Sequence, residues 1–290
     1  MKPPKFQYMR AANLAEALDA LQTPDAKLIA GGQSLLPLLN FRMLRPSLLV
    51  DVNRIAELSY LEETPAGGLR IGALTRHHCL ETSPIVRNRF PVLASAAEHI
   101  GHLAIRNRGT IGGSLSHADP TAELLLMGVL LDATLAVASK ESSRSVRIRD
   151  HIAGALSTTL EPHEIVTAVE LPPLAIGTGW GFEECARRTG DFAIAAVAVL
   201  VEAAGGRAKS ARIAVAGAAN GPVRVPQAEA ALAGSACEGK ALDAAVEAVR
   251  ESVDPNVDLH ASAELRHRII ETLLRRTCAA AWRRATGGGA

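Results

Sequence analysis

Two short segments carry residues suited to gripping an anion: Ala30-Gly31-Gly32-Gln33-Ser34-Leu35 and Thr110-Ile111-Gly112-Gly113-Ser114-Leu115. Each sets two glycines beside a serine. Glycine has no Cβ, so main-chain amides there can approach a ligand closely and adopt positive φ. Successive amides in such a turn form a concave anion site, and a neighbouring helix N-terminus adds partial positive charge. Two such loops suit a ligand with two linked phosphates, such as a dinucleotide pyrophosphate, without recruiting Lys or Arg. Neither segment is GxGxxG and no GxxxxGK[ST] occurs, which argues against a Rossmann or P-loop site. Read singly, each is equally a tight turn.

Other reactive side chains form no defensible constellation. His77, His78, His99, His102 and His117 lie close in sequence with Cys79 beside them. Zinc needs ligands that converge tetrahedrally, and His99 and His102 straddle Gly101, where a helix should stop. Loop or surface histidines are therefore expected and a metal site is not; His117, in the second segment, could touch a nucleotide. Cys79, Cys185, Cys237 and Cys278 are far apart with no CxxC pair. They read as scattered core thiols, neither a disulfide framework nor an iron–sulfur binder. No Ser-His-Asp arrangement or acid/base pair stands out, so no catalytic residue is assigned. Arg42, Arg45, Arg106 and Arg108 are read as solvated, or as facing a partner. Arg266, Arg268, Arg275, Arg276, Arg283 and Arg284 give the last helix a basic face, solvated or used for docking.

The elements that must position these loops follow from pattern. Asn13 and Glu16 form a capping pair ahead of Leu14, Ala17, Leu18 and Leu21, a helix ended by Pro24-Asp25. Lys27–Ala30 reads as a strand leading into the first glycine segment, and Pro37 allows only a short helix after it. Leu48–Val52 and Leu69–Ala73 read as strands. Pro91–Ile100 reads as a helix stopped by Gly101, and Arg106–Ser114 as a loop. Asp119-Pro120 reads as an N-cap with a first-turn proline, opening a helix through about Leu131. Strands are expected at 133–138, 146–148 and 164–171. Pro172-Pro173 and Gly177-Thr178-Gly179 mark a domain boundary near 175. Beyond it, 180–185, 192–203 and 210–218 suggest an antiparallel meander turning at Gly205-Gly206, although 192–203 could equally be a buried helix. Helices follow at about 227–233, 239–252 and 262–284.

The whole chain of 290 residues carries 31 Lys and Arg against 30 Asp and Glu, a net charge of +1. That excludes a strongly basic protein neutralising many phosphates, so no nucleic-acid partner is expected. At 48% hydrophobic residues, a globular protein of about two domains is expected. No apolar run approaches the roughly 18–20 residues that span a bilayer. Met1–Phe6 offers no apolar signal core, so a cytoplasmic location is expected.

Ala30-Gly31-Gly32-Gln33-Ser34-Leu35-Leu36-Pro37 and Gly109-Thr110-Ile111-Gly112-Gly113-Ser114-Leu115, continuing into His117-Ala118-Asp119-Pro120, resemble two flavin-loop motifs of one family. Ala186-Arg187-Arg188-Thr189-Gly190-Asp191-Phe192-Ala193 resembles a third landmark. The family is the FAD-binding medium subunit of the molybdenum hydroxylases, which include xanthine dehydrogenase and aerobic carbon monoxide dehydrogenase. The likeness spans nearly the whole chain.

It implies an α+β fold: a two-lobed PCMH-type FAD-binding domain over 1–175 (lobes about 1–58 and 59–175), then a smaller domain of antiparallel sheet plus helices over 176–284, and a flexible tail at 285–290. It implies FAD here, with molybdenum-pterin on a large partner subunit and [2Fe-2S] clusters on a small one, assembled as a dimer of heterotrimers. Electrons would reach this chain's flavin from the clusters and leave to an external acceptor. Carried over by position, Lys27, Leu28, Ile29, Ala30, Gly31, Gly32, Gln33, Ser34 and Leu35 would wrap the pyrophosphate and part of the ribityl chain. Thr110, Ile111, Gly112, Gly113 and Ser114 would form the opposing loop. Asp119 and Glu123 would make polar contacts to the flavin nucleotide, Glu123 as the ribose acceptor. Val166 would pack on the adenine or the ring, and Phe192 would lie against the isoalloxazine, with Arg187 and Arg188 near its outer side.

Gln33 and Phe192 stand where some members carry histidine and tyrosine. Glu183 stands where nicotinamide-using relatives carry lysine, which speaks against that binding mode. No cysteine-bearing insertion of the benzoyl-CoA-reducing branch is present. The rival readings are a stand-alone flavoprotein oxidase and a non-catalytic nucleotide-binding regulatory module.

Overall fold

A computed structural model describes residues 2–217 and 219–287. It is an α+β protein built on three main sheets. The first holds β1 (Gln7–Arg10), β2 (Lys27–Ile29) and β3 (Leu48–Asp51), all parallel, with β3 in the centre. Helix α1 (Leu14–Ala20) links β1 to β2, and α2 (Leu35–Asn40) lies between β2 and β3. The central strand Leu48-Leu49-Val50-Asp51 is buried along its whole length, as a parallel strand covered on both faces must be. The expected cap at Asn13 is present: its side chain accepts from the Glu16 amide at 2.9 Å, and Glu16 accepts in turn from the Ala12 amide at 2.8 Å. Strand β1 carries no sequence signal, because Gln7-Tyr8-Met9-Arg10 is a largely exposed edge.

The second lobe adds β4 (Leu61–Glu63) and β5 (Leu69–Gly72), then five helices: α3 (His77–Thr82), α4 (Pro84–Arg89), α5 (Pro91–His99), α6 (Leu103–Arg106) and α7 (Ile111–His117). Next come α8 (Glu123–Leu130), β6 (Thr134–Ala138), β7 (Ser143–Arg147), α9 (Ile148–His151), the small pair β8 (Ile152–Gly154) and β9 (Ser157–Thr158), and β10 (Ile165–Leu171). The order is β4-β5-β10-β6-β7, antiparallel throughout. Helix α8 is buried on every side from Leu124 to Leu130 and forms the centre of this core with Phe90, Leu93 and Leu115.

Two local expectations need correction. The second glycine segment is not a loop: Gly112 and Gly113 sit in the first turn of α7, capped by the Thr110 hydroxyl, which accepts from the Gly113 amide at 3.2 Å. Nor does Asp119 open a helix. One oxygen of its carboxylate, Oδ1, accepts from the Thr121 amide at 2.8 Å and the Thr121 hydroxyl at 2.7 Å, and α8 starts only at Glu123.

The third sheet is β11 (Gly179–Cys185), β12 (Ala195–Ala204), β13 (Arg207–Ala216) and β14 (Val223–Arg224), antiparallel in sequence order. Gly205 and Gly206 both take positive φ at the β12–β13 hairpin, as a tight two-residue turn requires. Alternate β12 residues enter two cores. Ala196, Ala198 and Leu200 join the second-lobe core, while Val197, Val199 and Val201 pack under α10 (Pro226–Leu232), α11 (Gly239–Ser252) and α12 (Ala263–Ala285). A strand buried on both faces shows no alternation, which is why periodicity left a buried helix open there.

Four further expectations change. Arg266 does not belong to a solvated face: it is 4% exposed and donates to the carbonyls of Ile194 and Gly217 and to Asp258. Arg106 is likewise held internally, by Glu81 at 2.8 Å. Cys79 is exposed, not a core thiol. The expected flexible tail begins inside α12, which runs through Ala285; residues 288–290 lie outside the described residues.

Helix α12 lies backbone to backbone on β11. A Cβ on Gly181 would stand 2.8 Å from both Cα and the carbonyl carbon of Thr277. Gly181→Ala should therefore force α12 off the sheet, costing about 1–3 kcal/mol as overpacking. Denaturant unfolding with a lowered midpoint checks this, and an unchanged midpoint would refute the contact.

Candidate functional site

The first glycine segment follows directly from strand β2. Lys27, Leu28 and Ile29 run alongside β3, and the chain then turns at Gly32, whose φ is +73°. The amides of Gly31, Gly32, Gln33, Ser34 and Leu35 donate to no acceptor among the described residues. Five consecutive free donors form a concave nest suited to an anion. The Gln33 side chain folds back to donate to the Gly31 carbonyl at 3.0 Å, and Ser34 begins α2 without a side-chain cap.

The second segment is arranged differently. The Ile111 amide donates to the Thr75 carbonyl at 3.1 Å, Gly112 to Ala73 at 2.9 Å, and Ser114 to Thr110 at 3.0 Å. With Gly113 on the Thr110 hydroxyl, only the Thr110 amide of this stretch lacks an acceptor among the described residues. The expectation of two equivalent amide grips is corrected: the first segment presents donors, and the second is mainly wall. Gly112 is there because a Cβ would meet Ala73, 2.6 Å from its Cβ and 2.8 Å from its carbonyl oxygen. A bulky residue at 112 would disturb the fold itself, not a ligand alone.

The two segments face each other. A Cβ on Gly31 would fall on the Arg108 carbonyl and 2.8 Å from Gly109 Cα. A polar tie that sequence reasoning missed fixes this approach. Arg76 donates to Asn53 Oδ1 at 2.7 Å and to the Arg108 carbonyl, so one guanidinium holds both sides. Asn53 donates to the Ala30 carbonyl at 2.8 Å and to Asp51 Oδ1 at 2.7 Å, and Tyr8 donates to the other Asp51 oxygen at 2.5 Å. Burial alone would raise the Asp51 pKa, but hydrogen bonds from Tyr8 and Asn53 and the charge of Arg10 hold it below the usual carboxylate value. His77 is buried against Gly109 with neither ring nitrogen hydrogen-bonded, and burial pushes its pKa down to about 4. It is a neutral wedge under the second segment.

The remaining predicted residues fall into separate groups. Asp119 and Glu123 follow α7 and approach a cluster with His99 and Glu184. Burial, together with the negative charges of Glu184 and Asp119, raises the Glu123 pKa to about 7; burial raises Glu184 to about 7 as well. Glu184 Oε2 is buried without a hydrogen-bond partner. His99 packs edge-on against Phe182, their centroids 5.2 Å apart. Val166 is turned into the second-lobe core. Phe192 is 77% exposed on the loop between β11 and β12, and that loop rests on His102, 2.8 Å from where a Gly190 Cβ would be. Glu183 pairs with Arg276 at 3.1 Å. Among the described residues no three His, Cys, Asp or Glu side chains are grouped to hold a metal. Of the residues missed, Glu184 had a faint signal as half of an acidic doublet beside the third landmark; Asn53 and Arg76 had none.

A diphosphate fits this geometry on two observations: five unspent amides, and a glycine backbone that a side chain would displace. Comparison with known proteins agrees. Residues 4–174 match the FAD binding domain in molybdopterin dehydrogenase, and residues 180–281 the CO dehydrogenase flavoprotein C-terminal domain. The chain is 42% identical to the 6-hydroxypseudooxynicotine dehydrogenase complex subunit alpha of Paenarthrobacter nicotinovorans, over 98% of this chain and 97% of that one. It is 35% identical to the carbon monoxide dehydrogenase medium chain of Hydrogenophaga pseudoflava, covering 98% and 99%. A solved structure of quinoline 2-oxidoreductase from Pseudomonas putida 86 superposes with a TM-score of 0.94 at 38% identity, covering 99% of each chain. With both halves matched in order and the nest in place, the chain belongs to the FAD-binding medium subunits of the molybdenum hydroxylase family, and is an oxidoreductase subunit.

Proposed function

We propose that the chain binds the FAD diphosphate in the nest of Gly31–Leu35, takes electrons from a [2Fe-2S] partner subunit and passes them to an external acceptor. The observation that carries this reading is the row of five amides left without acceptors beside a glycine backbone in close approach. In this reading Thr110 and Ser114 line the facing wall, Asp119 and Glu123 meet the nucleotide's hydroxyls, and Phe192 covers the ring. Val166 contributes only through the packing beneath. When bound, the flavin supplies two-electron chemistry that can be entered one electron at a time.

The relatives are named as medium or alpha subunits of complexes, which supports a molybdenum-cofactor large subunit and an iron–sulfur small subunit as partners. We assign the assembly as a dimer of heterotrimers and the location as cytoplasmic; among the described residues no helix is long and apolar enough to cross a membrane. We divide the chain at about 175, with lobes at about 1–58 and 59–175 and a second domain that runs to the end of α12 at Ala285.

The cofactor test uses the chain purified with its partner subunits. Absorbance and acid-released flavin should show FAD in the wild-type complex. Gly32→Val places a β-branched residue at positive φ, a strain of roughly 1–2 kcal/mol. Gly31→Val wedges the two segments apart. Since ~1.4 kcal/mol is tenfold in affinity, each variant should lose most of its flavin on dilution. Full retention in both would overturn the proposed nest.

The acidic cluster makes a second prediction. Glu123 and Glu184 have pKa values of about 7 in the fold against about 4.3 for a free glutamate. The folded state therefore favours their protonated forms. Their contribution to stability is complete below about pH 4 and is lost as pH rises through 7. The melting temperature should fall between pH 5 and 8, and Glu123→Gln should flatten that fall. An equal slope in wild type and variant would show that the carboxyl does not titrate there.

A further inference from the structure

Helix α2 and the turn that ends it, Leu35-Leu36-Pro37-Leu38-Leu39-Asn40-Phe41-Arg42-Met43, are apolar at all positions but Asn40 and Arg42. A helix hydrophobic on every side belongs in a core, yet Leu39 alone of this stretch is buried. Phe41 is 66% exposed, Met43 70% and Leu36 43%. The Phe41 amide donates to the Pro37 carbonyl at 2.9 Å and the Met43 amide to the Leu38 carbonyl at 2.9 Å, so both side chains stand on a fixed backbone. Charge around them is of one sign. Neither 1–15 nor 26–50 contains an Asp or Glu. Lys2, Lys5, Arg42 and Arg45 are exposed and make no ion pair among the described residues. Arg42 Nε donates to the Lys2 carbonyl at 3.4 Å, which ties the segment carrying both lysines to this turn.

The patch adjoins the nest. Leu35 is at once the last residue of the nest and the first of α2, and a Cβ on Gly32 would stand 3.2 Å from Leu36 Cδ1. At 1.5 Å per residue, Phe41 lies only about 9 Å further along the helix axis. A protein that delivers electrons to a cofactor in the nest must dock beside it. Phe, Met and Arg are the residue types enriched in protein interfaces, and an exposed apolar patch with a polar rim marks a docking site. We propose that α2 and its closing turn are the docking surface for the iron–sulfur partner subunit. That partner covers Phe41 and Met43 with apolar side chains and faces the four cations with a rim of Asp and Glu. The inference rests on the FAD reading above and on the electron donor named with it. Complementary charge of this kind speeds encounter and weakens with added salt. A lipid surface meets the same chemistry but would shut the donor out from beside the nest.

The test replaces Phe41 by the photoreactive p-benzoylphenylalanine in the complex with its partner subunits and irradiates it beside phosphatidylserine vesicles. The chain should become joined to the iron–sulfur subunit. A crosslink to the large subunit, to a second copy of this chain or to lipid overturns the proposal, as does no crosslink at all. In a second arm, Phe41→Asp with Met43→Asp should cut retention of the iron–sulfur subunit at least tenfold at unchanged flavin content. Phe41→Leu with Met43→Leu should restore it. Lys5→Glu with Arg45→Glu should also lower retention and remove its salt dependence. Retention unchanged in the Asp pair overturns the proposal; if that pair melts early, the crosslink alone decides. A wild-type complex without flavin would instead defeat the cofactor reading on which this rests.

Discussion

The constraint on which the site depends is the close approach of two backbones, Gly31 against Arg108–Gly109, with no side chain between them. Each comes from a different lobe, so this approach exists only if the parallel three-stranded sheet and the antiparallel five-stranded sheet are held at one fixed separation. Arg76 sets that separation. Its guanidinium bonds the Arg108 carbonyl on one side and Asn53 on the other, and Asn53 reaches the Ala30 carbonyl one residue before the nest. An arginine suits this role because its planar fork of donors can serve two acceptors in fixed directions and stays charged when desolvated. Burial lowers its pKa, but from a value high enough to leave the charge intact.

The asymmetry of the two glycine segments follows from what precedes each. The first leaves a short parallel strand, and the chain turns through positive φ at Gly32 before α2 begins, so its amides point away from any carbonyl. The second enters a helix whose first amides meet the carbonyls of Ala73 and Thr75 just past β5. The same residue types therefore play different parts: glycine in the first frees donors, and glycine in the second allows close packing. Composition cannot separate these, because both demands are met by a missing Cβ.

Much of the fold was legible where one physical signal dominated. The Asn13–Glu16 cap, the Gly205-Gly206 hairpin and the last helix, expected over 262–284 and found over Ala263–Ala285, all rest on local chemistry. The failures came where long-range partners decide. Asp119-Pro120 has every local mark of a helix start, yet the Asp119 carboxylate binds Thr121 and the helix waits for Glu123. Arg266 looks like one charge in a basic stripe, but three acceptors brought together by β12, β13 and the segment before α12 pull it inward. For the site, the glycine segments were visible in sequence and the tie that aligns them was not, since Asn53 and Arg76 gain meaning only once two lobes meet.

The third sheet does more than complete the chain. Its inner face is part of the second-lobe core, through Ala196, Ala198 and Leu200, so the loop carrying Phe192 is anchored at its β12 end inside that core. At the other end, the Ile194 amide bonds the Cys185 carbonyl at 2.7 Å, closing the loop into a narrow neck. Arg266 then bonds the Ile194 and Gly217 carbonyls together, while the Gly217 amide reaches the Pro120 carbonyl at 3.0 Å. These bonds run without a break from α12 to the turn that precedes Glu123. The base of the Phe192 loop and the acidic cluster are thus parts of one rigid frame. The frame ends at the loop's tip, where Phe192 is 77% exposed.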